Sequence, residues 1–160
     1  MKAKRIAFCS IIASVYAVIT LTTSALAFGP IQFRIAEALC ILCFFTPSAV
    51  WAVTLGCFVA NLFSPLPLDI LFGTLATLVG CLGAAKCRNP WVLPVPVILS
   101  NMLIVGAELS WAFTPDAFWQ GLMINGLQVA IGEIAVLYLL GVPLLRLLQR
   151  STAADYLHTL

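Results

Sequence analysis

Charged side chains are scarce in this chain, and the scarcity falls in long blocks. Only 9% of the residues are Asp, Glu, Lys or Arg and 62% are hydrophobic, whereas soluble domains carry about 25% charge. From Ile6 to Phe33 run 28 residues without a charge, and from Ala38 to Leu68 another 31. A bilayer-spanning helix needs roughly 20 mostly apolar residues to cross about 30 Å of hydrocarbon. Runs of this length supply such helices, and a soluble domain could not solvate them.

Histidine is nearly missing as well, with His158 the single example. Cys40 and Cys43 have C-x-x-C spacing, but without a second pair or more His ligands they do not make a zinc site. A disulfide-relay enzyme wants cysteines in extracytoplasmic loops, where this sequence places none. All six cysteines, Cys9, Cys40, Cys43, Cys57, Cys81 and Cys87, therefore read as small, buried apolar residues. No G-x-x-x-x-G-K-[ST] segment occurs, which excludes ATP binding by a P-loop. No Ser/His, Cys/His or metal constellation supports an enzyme, and no cofactor is expected.

What is present is a series of apolar segments cut by Pro, Gly and charge. The cuts give six candidate spans: Ile6 to Ala27, Ile31 to Phe45, Pro47 to Leu62, Leu68 to Ala85, Trp91 to Leu109, and Phe118 to Leu145. Pro47, Pro65, Pro67 and Pro115 sit at or near helix starts, where a missing N–H costs nothing. The expected fold is an all-α integral membrane protein: one compact bundle of six transmembrane helices over 1–160, with 146–160 a short cytoplasmic tail.

The basic residues orient this bundle. Lys2, Lys4 and Arg5 precede the first span, Lys86 and Arg88 lie between the fourth and fifth, and Arg146 and Arg150 follow the sixth. By the positive-inside rule these places, and both termini, face the cytoplasm. Because the cations are scattered over helix ends and not gathered on one face, no nucleic-acid partner is expected. The first span also resembles a signal peptide ending in Ala25-Leu26-Ala27. An h-region normally runs about 7 to 15 residues; this run has 22, so a retained span is expected.

Five of the six acids, Glu37, Asp69, Glu108, Asp116 and Glu133, lie in or between spans, and all but Glu133 lie toward the outer side. An ionisable side chain in the bilayer costs several kcal/mol unless it is paired or faces a wet cavity. Glu133, deep in the last span, is either a structural acid, buried or salt-bridged to a neighbour such as Arg34, or the floor of an outward-open pocket. Asn101 and Glu108, two helical turns apart, share a face of the fifth span, and Asn125 and Gln128 share a face of the sixth. Arg34 and Glu37 either line the site or neutralise each other. Asn61 and Asp69 are site residues, or else a helix-end cap and a first-turn acid. Phe28, Phe33, Phe63, Phe72, Trp111, Phe113, Phe118 and Trp119 gather near the same side, mostly as an interfacial belt. Trp111, near Glu108, is the preferred residue for stacking on a flat ligand.

On the first span Ala3, Ala7, Ser10, Ala13, Ser14 and Ala17 recur at spacings of three and four. The Ala13-x-x-x-Ala17 core permits close approach of another helix, either within the bundle or from a docking partner.

Three blocks carry a resemblance: Phe28-Gly29-Pro30-Ile31-Gln32-Phe33-Arg34-Ile35-Ala36-Glu37-Ala38-Leu39, Gly56 to Pro65, and Asp69 to Thr77. Together with the Asn101 segment, Gly132-Glu133 and Gly141 to Arg146, they resemble the QueT family. That family is the queuosine-precursor S-component of energy-coupling factor (ECF) transporters. The resemblance implies a six-helix receptor in the bacterial plasma membrane that captures its substrate from outside. Its partners would be a transmembrane coupling subunit and two cytoplasmic ATPases, so the chain would bind but hydrolyse nothing. Ala13 and Ala17 then resemble the docking face of S-components, and the segment around Arg34 and Glu37 resembles their lid.

The implied ligands are 7-deazaguanines such as preQ1 or preQ0, or queuine. Their N1–H and 2-amino group form a donor pair that one carboxylate accepts, and their carbonyl needs a donor. Glu133, Glu108 or Glu37 fits the first role, and Asn101, Gln128, Asn125 or Arg34 the second. A second carboxylate would suit the aminomethyl cation of preQ1. A stand-alone ion- or proton-coupled carrier is the alternative, weakened by the lack of an internal repeat.

Overall fold

The computed structural model describes residues 2–29 and 31–159, without the side chains of Lys2 and His158. Pro30 of the first resemblance block, and the side-chain roles of Lys2 and His158, lie outside the described residues. The chain is helical throughout, with no strand among the described residues.

The first apolar run forms α1 (Lys2–Thr22) and a short α2 (Ser24–Ala27). The second, Ile35–Phe44, is a 3₁₀ helix, followed across Pro47 by α3 (Ser48–Asn61). A 3₁₀ turn, Pro67–Ile70, leads into α4 (Phe72–Ala84), and α5 (Pro94–Phe113) and α6 (Phe118–Val136) form the next hairpin. Short helices α7 (Val142–Gln149) and α8 (Ala153–His158) end the described chain.

Proline placement explains most of the boundaries. Pro67, Pro94 and Pro115 stand in the first turns of their helices, where the missing donor is harmless. Pro143 is different, because it lies inside one continuous apolar helix. Its ring would strike a carbonyl of the preceding turn. The chain answers with a π turn at Leu137–Gly141, in which the Val142 N–H donates to Leu137 O five residues back. That widened turn packs on the 3₁₀ helix, bringing Gly141 against Ile41 and Ala38.

Four segments are long and apolar enough to cross a membrane: Ala3–Thr22, Pro67–Ala84, Pro94–Phe113 and Pro115–Gln149. Ile35–Phe44 and Ser48–Asn61 are shorter, at 10 and 14 residues. Ile41, Cys40, Cys43, Val53, Cys57 and Cys81 pack into one core with Tyr16, Leu93, Val97 and Leu137. The outer surface is apolar: Ile6, Ile11, Trp51, Leu103, Ile124, Ile131 and Leu139 are all exposed. Arg34, Glu37, Asn61, Asp69, Asn101, Glu108 and Glu133 are all buried. Apolar outside and charged within is the distribution a lipid environment demands.

The cysteine expectation needs amending. All six are free, but Cys9 and Cys87 are only half-buried, and Cys40 and Cys57 make polar contacts in the interior. The small-residue strip on α1 also has a different use from docking alone. Ala13 and Ala17 are each 7% exposed, because α3 packs on this face at Gly56. A Cβ on Gly56 would lie 2.7 Å from Tyr16 Cβ and 2.8 Å from Ala13 O. The strip forms the floor of a groove of about 250 Å³ rimmed by Ser10, Ser14, Leu55 and Val59.

Gly56→Val should therefore overpack the α1–α3 contact and lower stability by about 1–3 kcal/mol. In detergent this reads as a lower Tm, while Leu55→Val beside it, at a position 50% exposed, should change little. An unaltered Tm for Gly56→Val would contradict this packing.

Candidate functional site

The buried charges converge on the segment between α2 and the 3₁₀ helix. Phe33 N–H donates to Leu26 O, returning the irregular segment toward α2, and the Glu37 N–H donates to Arg34 O as the 3₁₀ helix begins. On α6 the absence of a side chain at Gly132 admits this segment, since a Cβ there would stand 2.6 Å from Gln32 O. On α4 Gly73 plays the same part, because its Cβ would meet Asn61 Nδ2 at 2.9 Å and both terminal nitrogens of Arg34 at 3.4 Å.

Arg34 reaches across to Asp69 at 3.3 Å, with both side chains almost fully buried. This is the one ion pair between the described residues. Ser64 Oγ donates to the other Asp69 oxygen, and Asn61 Nδ2 donates to Asp69 O at 2.8 Å. Asn61 is therefore more than a helix-end residue: it fixes the 3₁₀ turn that presents Asp69.

Glu37 does not pair with Arg34. Its Oε1 accepts from Tyr16 Oη at 2.6 Å and Thr77 Oγ1 at 2.9 Å, and its Oε2 accepts from Cys40 Sγ at 2.8 Å. The carboxylate thus ties α1, the 3₁₀ helix and α4 together, with each oxygen already engaged. Charge-assisted bonds of this kind are the stronger ones, and their value rises in a dry interior.

A second group of buried atoms is bonded to nothing. Gln32 Oε1, Arg34 Nε and Nη1, Asn101 Oδ1, both Glu108 oxygens and Glu133 Oε2 have no hydrogen-bond partner. Leaving a buried polar atom unpaired costs about 1–3 kcal/mol, more for a charged one, so native interiors hold few of them. Asn101 donates to Val97 O at 3.2 Å, which leaves its carbonyl oxygen free on the α5 face it shares with Glu108. Glu108 lies beside Asp69, close enough for a proton shared between the two carboxyls to hydrogen-bond them, and in electrostatic range of Arg34; Glu133 is in range of Glu37 and Arg34. One guanidinium therefore stands among four carboxylates.

A cleft of about 310 Å³ opens at Gln32, the one residue of this group that lines it, with Phe28, Gly29, Leu109, Phe113, Asn125 and Gln128 completing its wall. Asn125 Nδ2 donates to Ser110 Oγ at 3.2 Å, which fixes α6 against α5. Trp111 is 62% exposed and does not line this cleft, whose aromatic walls are Phe28 and Phe113. Asp116 is exposed on the Pro115–Ala117 turn. No cluster of three or more His, Cys, Asp or Glu among the described residues is arranged to hold a metal.

Gln32 and Tyr16 are the residues that charge and spacing did not single out. Tyr16 had a signal, since a phenol in mid-span needs a polar partner. Gln32 had only its position two residues before Arg34.

Comparison with known proteins places these features in a lineage. The family model described as QueT transporter matches residues 6–150. The queuosine precursor transporter QueT of Lactococcus lactis subsp. cremoris (strain MG1363) is 33% identical over 114 residues, covering 70% of this chain and 54% of that protein. The matched part of this chain thus spans about half the length of that curated relative. No solved structure matches. With the family match running over nearly the whole chain, including every buried charge described above, this chain belongs to the QueT transporter family.

Proposed function

We propose that this chain is the substrate-binding S-component of an ECF importer, capturing a queuosine precursor of the 7-deazaguanine class from the outer side of the bacterial plasma membrane. The observation that carries the reading is the set of buried, unpartnered polar atoms on Gln32, Arg34, Asn101, Glu108 and Glu133. Atoms held dry and unbonded by a rigid surround are preorganised for a ligand that supplies the missing partners. A deazaguanine does so: its N1–H and 2-amino group offer paired donors to a carboxylate, and its carbonyl accepts from Arg34. The planar ring suits a cleft walled by Phe28 and Phe113, with Asn125 and Gln128 as adaptable amides.

In this reading the chain is one domain with six crossings, both termini cytoplasmic and 146–160 a cytoplasmic tail. The two short helices complete the six: ten residues of 3₁₀ helix at about 2.0 Å each extend about 20 Å, and both lie against the bundle where their ends need not meet lipid. The groove over Ala13 and Ala17 receives the transmembrane coupling subunit, with Ser10, Ser14, Leu55 and Val59 meeting it first. Energy comes from two partner ATPases.

Calorimetric titration of the detergent-purified chain, without partners or ATP, tests this. Tight binding of at least one of preQ1, preQ0 and queuine, with little binding of guanine, is the expected result. Failure of all three to bind folded protein would overturn the reading. Two variants separate site from scaffold. Glu133→Gln should weaken binding by roughly 10- to 100-fold with little loss of Tm, whereas Glu37→Gln, which disturbs three donors at once, should lower Tm itself. Undiminished binding by Glu133→Gln would assign Glu133 to the scaffold.

A further inference from the structure

The C-x-x-C pair, Cys40 and Cys43, has no part in the site described above, and the fold gives it a setting that spacing alone did not. It lies on the 3₁₀ helix Ile35–Phe44. With three residues per turn, side chains at i and i+3 of such a helix eclipse, so Glu37, Cys40 and Cys43 form one edge, with Arg34 leading into it. Along α4 the neighbours of that edge recur every four residues. Gly73 admits the Arg34 guanidinium, Thr77 Oγ1 donates to Glu37 Oε1 at 2.9 Å, and Cys81 Sγ donates to Cys40 Sγ at 3.5 Å. Three residues of 3₁₀ helix rise about 6 Å, and four residues of α-helix also rise about 6 Å. The two ladders, matched in the same chain direction, therefore stay in register.

Their lower rung is a contact of two thiols backed by a carboxylate. Cys40 Sγ donates to Glu37 Oε2 at 2.8 Å, and Cys40, Cys43 and Cys81 are all free and buried. Cys43 also lies near Cys81. Burial in apolar surroundings keeps most thiols inert, because the thiolate is the reactive form. Cys40 differs in having a proton acceptor already bonded to it.

We infer that Cys40 and Cys81 are an oxidisable pair, a modification site at which a small uncharged peroxide converts two thiols into a disulfide between the 3₁₀ helix and α4. Glu37 takes the Cys40 proton as the sulfur attacks the peroxide. The S–O bond forms, the O–O bond breaks, and the leaving hydroxide recovers that proton as water, which leaves a sulfenic acid on Cys40. The Cys81 sulfur then attacks the Cys40 sulfur. The S–S bond forms, the S–O bond breaks, and the departing hydroxide leaves as water with the Cys81 proton. Two thiols are oxidised and one peroxide is reduced to two waters. The product deprives Glu37 Oε2 of its donor and fastens the helix that follows Arg34 to the helix that carries Gly73. Access selects the oxidant: both sulfurs belong to residues 0% exposed, and so closely packed an interior excludes a charged tripeptide disulfide. None of this depends on the identity of the transported ligand.

The test uses the detergent-purified full chain with Cys9→Ser and Cys87→Ser, which remove the two half-buried thiols. Hydrogen peroxide applied well below Tm should lower the intact mass by two hydrogens, and tandem mass spectrometry should place the link between Cys40 and Cys81, reversible by dithiothreitol. Oxidised glutathione at the same concentration should form it roughly 10-fold more slowly or not at all. Cys81→Ala in the same background should abolish the loss of two hydrogens. Folded chain that shows no such loss would overturn the inference, as would a link that joins other cysteines, appears only above Tm, or forms equally fast with oxidised glutathione. The primary result is read with all four buried cysteines in place, so it stands whether or not Cys81→Ala folds.

Discussion

Everything in the polar interior is arranged around one buried guanidinium. Arg34 is 2% exposed in a protein whose outer surface is apolar, and an isolated cation there would cost several kcal/mol. Asp69 meets it at 3.3 Å, and that need dictates the surrounding structure. Asp69 must be presented from a turn, so Asn61 and Ser64 hold the Pro67–Ile70 segment in place. The guanidinium must lie flat against α4, so position 73 is Gly. The segment carrying Arg34 must lean on α6, so position 132 is Gly.

Once Arg34 is committed to Asp69, the other acids take separate tasks. Glu37 is saturated by Tyr16, Thr77 and Cys40 and works as a joint between three helices. Glu108 and Glu133 are buried yet keep unbonded oxygens. A structural acid finds its donors within the chain, and an acid waiting for a ligand does not. By this criterion the four carboxylates divide into two that build and two that, in the function proposed above, bind.

Much of this was legible in the sequence. Uncharged runs announced membrane helices, and the start of α6 at Phe118 followed from Pro115. The pairing of Asn101 with Glu108 on one buried face followed from helical periodicity, as did that of Asn125 with Gln128. Other features were not legible because they depend on long-range packing. The 3₁₀ form of Ile35–Phe44 leaves no periodic signal in a segment that is apolar on nearly every side. The choice of Asp69 over Glu37 as the partner of Arg34 depends on a turn 35 residues away, while sequence proximity favoured Glu37. Trp111, preferred for stacking by its nearness to Glu108, is 62% exposed and lies outside the lining of the cleft. Ala13 and Ala17 were rightly read as a close-packing strip, and the residue that uses it from within is Gly56.

The central claim is that the unbonded atoms of Arg34, Asn101, Glu108 and Glu133 are the ligand's partners. A structure of the chain with a bound 7-deazaguanine tests it most directly. The account predicts ligand donors within hydrogen-bond distance of Glu108 and Glu133, and the ligand carbonyl on Arg34, with Arg34–Asp69 and the bonds to Glu37 unchanged. A ligand seated elsewhere, with the oxygens of Glu108 and Glu133 still without partners, would contradict it.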